Sequence, residues 1–91
     1  KALQQRPGFP PAHYRIGEIF RERGDFVEAR ERYERALESA PQYALPHFGL
    51  GLISLEEGKY DEARLSLRKV VELAGDTEIG EEARRILRTI P

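Results

Sequence analysis

The chain has 91 residues, with 15 basic and 16 acidic side chains, a net charge of −1 and no cysteine. That length holds one small domain with a thin core, and the missing cysteines remove disulfides and thiolate-held metals as staples. Evenly mixed charge excludes recruitment to nucleic acid or to a membrane surface by bulk charge, and no apolar run is long enough to span a bilayer.

Residues 10–43 and 44–77 align without gaps at a period of 34, with ten identities that include His13/His47, Gly17/Gly51, Gly24/Gly58 and Ala29/Ala63. A fixed period of this size is the mark of a stacked-repeat architecture. The repeat frames everything else. Ala2, Leu3 and Pro7 fall one period before Ala36, Leu37 and Pro41, so residues 1–9 read as the tail of a preceding repeat. The chain is thus expected to enter its array mid-repeat.

In residues 10–43, Pro10 and Pro11 suit a first helical turn, where a missing N–H costs little. Ile16, Ile19, Phe20 and Arg23 then keep helical spacing, and Gly24 supplies a left-handed stop. Asp25 and Glu28 have capping-box spacing at the start of a second helix. Phe26, Ala29, Tyr33, Ala36, Leu37 and Ala40 give that helix an apolar stripe of period 3.6, and Pro41 ends it. Glu28/Arg32 and Glu31/Arg35 have the favourable i,i+4 order on its outer side. Residues 44–77 repeat the plan around Gly58, with Lys59 in place of Asp25 and Gly75 in place of Pro41; the helix after Gly58 is expected to start less firmly. Gly17 and Gly51, inside helices, carry a cost of about 1 kcal/mol each relative to alanine. Their recurrence predicts close helix contact, with Ala29 and Ala63 as the facing small residues. Residues 78–91 keep Ile79, Ala83, Ile86, Leu87 and Ile90 at helical spacing, with Arg and Glu on the other side. That is the pattern of a terminal cap, so the array is expected to close here.

No catalytic motif stands out. The glycines punctuate helices and form no phosphate loop. Ser39, Ser54 and Ser66 lie in helical patterns with no evident base, and Glu56/Glu57 and Glu81/Glu82 are read as solvated helix faces. His13 and His47 hold equivalent places in the two repeats, which packing or hydrogen bonding explains better than a metal. The expectation is a chain that is not an enzyme and needs no cofactor or metal.

His13, Ile16, Gly17, Phe20, Ala29, Tyr33 and Pro41, echoed by His47, Leu50, Gly51, Ser54, Ala63, Leu67 and Gly75, resemble the tetratricopeptide pattern of aromatic, Leu-Gly, aromatic, Ala, aromatic and Pro. The resemblance covers residues 10–77. It implies an all-α antiparallel helix-hairpin solenoid of two repeat units with a C-terminal capping helix. It also implies a protein or peptide partner held on the first helix of each unit. By position this gives Tyr14, Arg15, Glu18 and Arg21 from the first unit, and Leu45, Phe48, Leu52 and Leu55 from the second. Glu18 and Arg21 are answered by Leu52 and Leu55, so an apolar patch rimmed by charge is expected there, unless Ile79, Ala83 and Ile86 of the capping helix cover it. Family members that clamp a chaperone's C-terminal carboxylate use Lys, Asn and Arg. The corresponding slots here hold Pro11, Arg15, Leu45, Gly49, Ile79 and Ala83, so that specialisation is not expected. The rival to a peptide groove is self-assembly through the first repeat's uncovered face, which would make a homo-oligomer.

Overall fold

A computed structural model describes residues 9–91. The expected tail of a preceding repeat, residues 1–9, lies outside the described residues apart from Phe9. The described residues form five helices, α1 (Pro10–Arg23), α2 (Phe26–Ser39), α3 (Ala44–Glu56), α4 (Tyr60–Ala74) and α5 (Glu78–Thr89). They form an all-α solenoid of antiparallel hairpins, α1 with α2 and α3 with α4, against which α5 packs.

The turns follow from glycine chemistry. Gly24 and Gly58 take positive φ, 84° and 75°, a region that a side chain makes costly. Each lets the chain close the same C-terminal motif. Gly24 N–H donates to Arg21 O at 2.9 Å and Asp25 N–H to Phe20 O at 2.9 Å; Gly58 N–H donates to Leu55 O at 3.0 Å and Lys59 N–H to Ser54 O at 2.8 Å. This corrects one expectation: Asp25 makes no side-chain cap bond. Helix α4, which follows Lys59, starts in the same register as α2. Asp25 and Lys59 have ψ of 75° and 79° rather than the extended value of a capping residue. The glycine motif behind them, not the side chain at the cap, fixes where the next helix begins. Only α5 has a side-chain cap: Thr77 Oγ1 accepts from Gly80 N–H at 3.3 Å.

Helices α1, α3 and α5 touch in succession, whereas α2 and α4 do not meet. A row that closes up beside one that splays must curve, with α1, α3 and α5 on its inner side. Two apolar clusters hold the stack. Ala29, Tyr33 and Ile53 form the first, joined by Tyr14, Phe20, Phe26 and Leu50. Leu67, Val70 and Ala83 form the second, joined by Phe48, Leu55, Ile79, Ile86 and others. Ile19, placed by spacing on the apolar side of α1, is 54% exposed. Its repeat-mate Ile53 is fully buried, because α2 of the preceding unit covers it.

Gly17 sits at a close contact, and the nearest atoms belong to Tyr33. A Cβ built on Gly17 would lie 2.8 Å from the Tyr33 ring, and one on Gly51 would lie 3.0 Å from Leu67. The side chain one turn beyond the expected alanine is the one that fills each gap. Of the two i,i+4 pairs, Arg35 and Glu31 close at 3.2 Å; Glu28 and Arg32 form no ion pair among the described residues. Arg30 of that helix instead crosses to Glu57 at 2.5 Å, tying the first unit to the second.

Candidate functional site

On the inner row, α1 presents a polar knot and α3 an apolar strip. The knot is built around Tyr33, which belongs to α2. Its ring passes between Gly17 on α1 and Gly49 on α3. An added Cβ would lie 2.8 Å from the ring at Gly17 and closer still at Gly49. The ring is fully buried, yet its hydroxyl emerges among the α1 side chains. There it donates to Glu18 Oε2 at 3.0 Å and accepts from Arg21 Nε at 3.1 Å. Arg21 Nη2 reaches Glu18 Oε1 at 2.7 Å, which closes the triangle. Tyr14 stacks beside it, its ring centroid 6.0 Å from Tyr33 and 5.9 Å from Tyr43.

Electrostatics follow from this geometry. Burial, with the Glu18 carboxylate alongside, pushes the Tyr14 hydroxyl up to about 12. Burial raises Tyr33 as well, against the pull of the Arg21 hydrogen bond. Desolvation by itself would lower the Arg21 guanidinium, but hydrogen bonds to Glu18 and Tyr33 outweigh it and hold it above its ordinary value. Glu18 and Arg21 are held in place by these hydrogen bonds at the edge of the inner face. Arg15, one position on from Tyr14, is exposed.

On α3, Leu45, Phe48, Leu52 and Leu55 are all half-buried. Phe48 and Leu55 share the second cluster with Ile79, Ala83 and Ile86, so α5 covers part of the strip. It does not close over Phe48. That side chain lines an open cavity of about 530 Å³ with Glu78, Ile79, Glu81, Glu82 and Arg85. A larger cavity, about 630 Å³, lies where the first hairpin joins the second, among Pro10, Pro11, Pro41 and Tyr43.

The inner row thus brings together two groups by separate means. Tyr14, Glu18 and Arg21 gather around Tyr33, whereas Phe48 and Leu55 join the cluster shared with α5. Tyr33 was legible only as a core residue. The available signal was Gly49, a helical glycine with no counterpart at Arg15 in the first unit. Glu81 and Glu82, read as a solvated face, line an open cavity together with Phe48 and Ile79, and Glu81 is exposed. His13 is buried, and His47 Nε2 lies 2.9 Å from Pro41 O. Among the described residues no group of three or more His, Cys, Asp or Glu could hold a metal ion, and no helix is long and apolar enough to cross a membrane.

The family model for the tetratricopeptide repeat matches residues 1–44 and 14–77. The chain belongs to the tetratricopeptide repeat family. No protein with a curated description matches it. Tetratricopeptide repeats generally mediate protein–protein interaction and are typically non-enzymatic modules.

Proposed function

We propose that this tetratricopeptide chain binds an extended or helical segment of a partner protein along the inner faces of α1 and α3. Tyr14, Arg15, Glu18 and Arg21 supply the polar side of the groove, and Leu45, Phe48, Leu52 and Leu55 the apolar side. The supporting observation is the juxtaposition itself. An ordered polar knot lies beside an apolar strip that α5 leaves open at Phe48. Apolar anchors supply affinity, while charges held in fixed positions select register and orientation. To test it, displayed random peptides are selected on the chain and their affinities compared for wild type and Phe48→Ala/Leu52→Ala, with helicity checked by circular dichroism. Loss of binding by a folded double variant is expected; unchanged affinity would remove the groove.

A second reading has its own support in the contrast between exposed Ile19 and buried Ile53. Self-assembly would cover Ile19 with a helix from a second copy. Sedimentation at several concentrations decides between them. An oligomer broken by Ile19→Glu and indifferent to Leu52→Glu would favour assembly, and a monomer at all concentrations would exclude it.

A further inference from the structure

We infer that the cavity between α3 and α5 receives a lysine or arginine side chain of the bound partner segment. The inference rests on the groove reading above and goes further by assigning the chemistry of the ligand. The floor is apolar, made by Phe48 and Ile79, both also packed into the second cluster. The walls are Glu78, Glu81 and Glu82, with Arg85 as the single opposing charge. Arg85 is already bonded to Glu82. Glu78 and Glu81 have no ion-pair partner among the described residues, so two carboxylates stand unmatched over an aromatic floor.

Three kinds of side chain could enter. A purely apolar one would take water from the carboxylates and return no hydrogen bond, which is unfavourable. An acidic one would meet like charge at close range. A lysine or arginine satisfies both surfaces. Its stem lies on Phe48 and Ile79 while its head reaches the carboxylates, and a cation near the ring face gains a further attraction. The cavity, about 530 Å³, falls within the usual range of ligand sites. Acidic residues in the first turn of α5 do favour that helix through its macrodipole. The macrodipole explains their place along α5, but not the open aromatic floor beneath them. Charge also runs in one direction along the inner row. α1 carries Arg15 and Arg21 against Glu18, whereas the start of α5 carries three carboxylates against Arg85. A partner segment with its basic residue toward α5 matches this polarity, and the reversed segment opposes it.

The experiment uses the full chain and displayed random peptides of roughly 12 residues, a length that suits extended or single-helix recognition. Enriched peptides are measured by fluorescence anisotropy on wild type, Phe48→Ala and the double variant Glu78→Gln/Glu81→Gln. Both glutamates are exposed, and Glu81→Gln alone serves if the double variant loses helicity. The expected result is a recurrent Lys or Arg in the peptides and binding weakened about three- to tenfold by the double variant, as two exposed charge contacts allow. That loss should shrink in about 0.5 M salt. Replacing the recurrent Lys by norleucine should reproduce the loss on wild type and add little on the double variant. Peptides that need Phe48 but bind the double variant equally well would overturn the basic-residue assignment and leave the groove standing. Failure to obtain any peptide sensitive to Phe48→Ala would overturn both. If the chain self-associates and Glu78→Gln/Glu81→Gln abolishes that, the cation belongs to a second copy and the partner-segment assignment falls.

Discussion

The two joints of the array share a plan and differ in their parts. At the first, Tyr33 of α2 fills the space between Gly17 on its own hairpin partner and Gly49 on the next helix. At the second, Leu67 of α4 takes the same place, with Gly51 behind it and Ala83 of α5 in its cluster. A larger side chain is matched by a smaller facing residue, as a close-packed interior requires. The exchange also changes the inner face. Tyr33 carries a hydroxyl through to Glu18 and Arg21, so the first unit shows an ordered polar edge. Leu67 carries nothing through, and the second unit shows Leu52 and Leu55 where the first has that charged pair. The character of the candidate groove is thus set partly from the outer row of helices.

Exchanging parts between the joints is the strongest way to break this comparison. Gly49→Leu and Gly17→Leu should each destabilise by about 3 kcal/mol, at the upper end of overpacking. The Tyr33 ring cannot retreat from one helix without striking the other. Gly49→Ala should lose less, because it adds only a methyl group and better helix propensity offsets part of that clash. Tyr33→Leu/Gly49→Ala rebuilds the second joint's solution at the first, and should recover stability relative to Gly49→Ala. Denaturant unfolding of the single and double variants measures the coupling, expected at about 0.5–3 kcal/mol. Strictly additive effects would mean that the two residues do not share one space.

Removing only the hydroxyl sharpens the same contrast. Tyr33→Phe keeps the ring in its slot and takes one partner each from Glu18 and Arg21. A loss of about 1–2 kcal/mol is expected for hydrogen bonds to charged groups. Alkali should find the same joint. Tyr14 ionises near 10.0 when unfolded and at about 12 here, and burial raises Tyr33 too. Above pH 10 the unfolded chain releases protons that the folded chain retains, so stability is intact below that value and falls as pH rises toward 12. Unfolding at about pH 9 and about pH 11 should show the drop, with a shallower one in Tyr14→Phe. A flat profile would show that these hydroxyls are not confined.

The repeat, the glycine turns and the helical class were legible because they rest on local chemistry: a period, a left-handed residue, a stripe. What was not legible depends on neighbours. Ile19 and Ile53 are the same residue at the same repeat position, and only the helix packed over Ile53 separates their fates. Gly17 announced a close contact without naming Tyr33, since the filling side chain is set by the crossing of two helices. Asp25 looked like a cap, but the backbone leaving Gly24 had already fixed the helix start. The inner-face residues could be named by repeat position. The cavity at Phe48 could not, because its walls belong to α5, where the family's signature residues are replaced by Glu and Arg.

The smallest expected effect concerns the outer ties across the joints, where one contact again appears in two forms. Arg30 reaches Glu57, twenty-seven residues on, at 2.5 Å. Arg64, its repeat-mate, reaches a main-chain oxygen of Pro91 across the same separation at 2.8 Å. The Arg30 hydrogen bond, with Lys59 also close, holds the Glu57 carboxyl below its ordinary 4.5. A depressed carboxyl contributes stability that is complete above the unfolded value and disappears as pH falls through the folded one. Glu57→Gln should therefore cost about 0.2–1 kcal/mol near neutral pH, the range for exposed ion pairs, and next to nothing in acid. The acid limb of the stability profile should flatten in that variant. Equal acid slopes in wild type and Glu57→Gln would show that the pair, though close, is not coupled to folding.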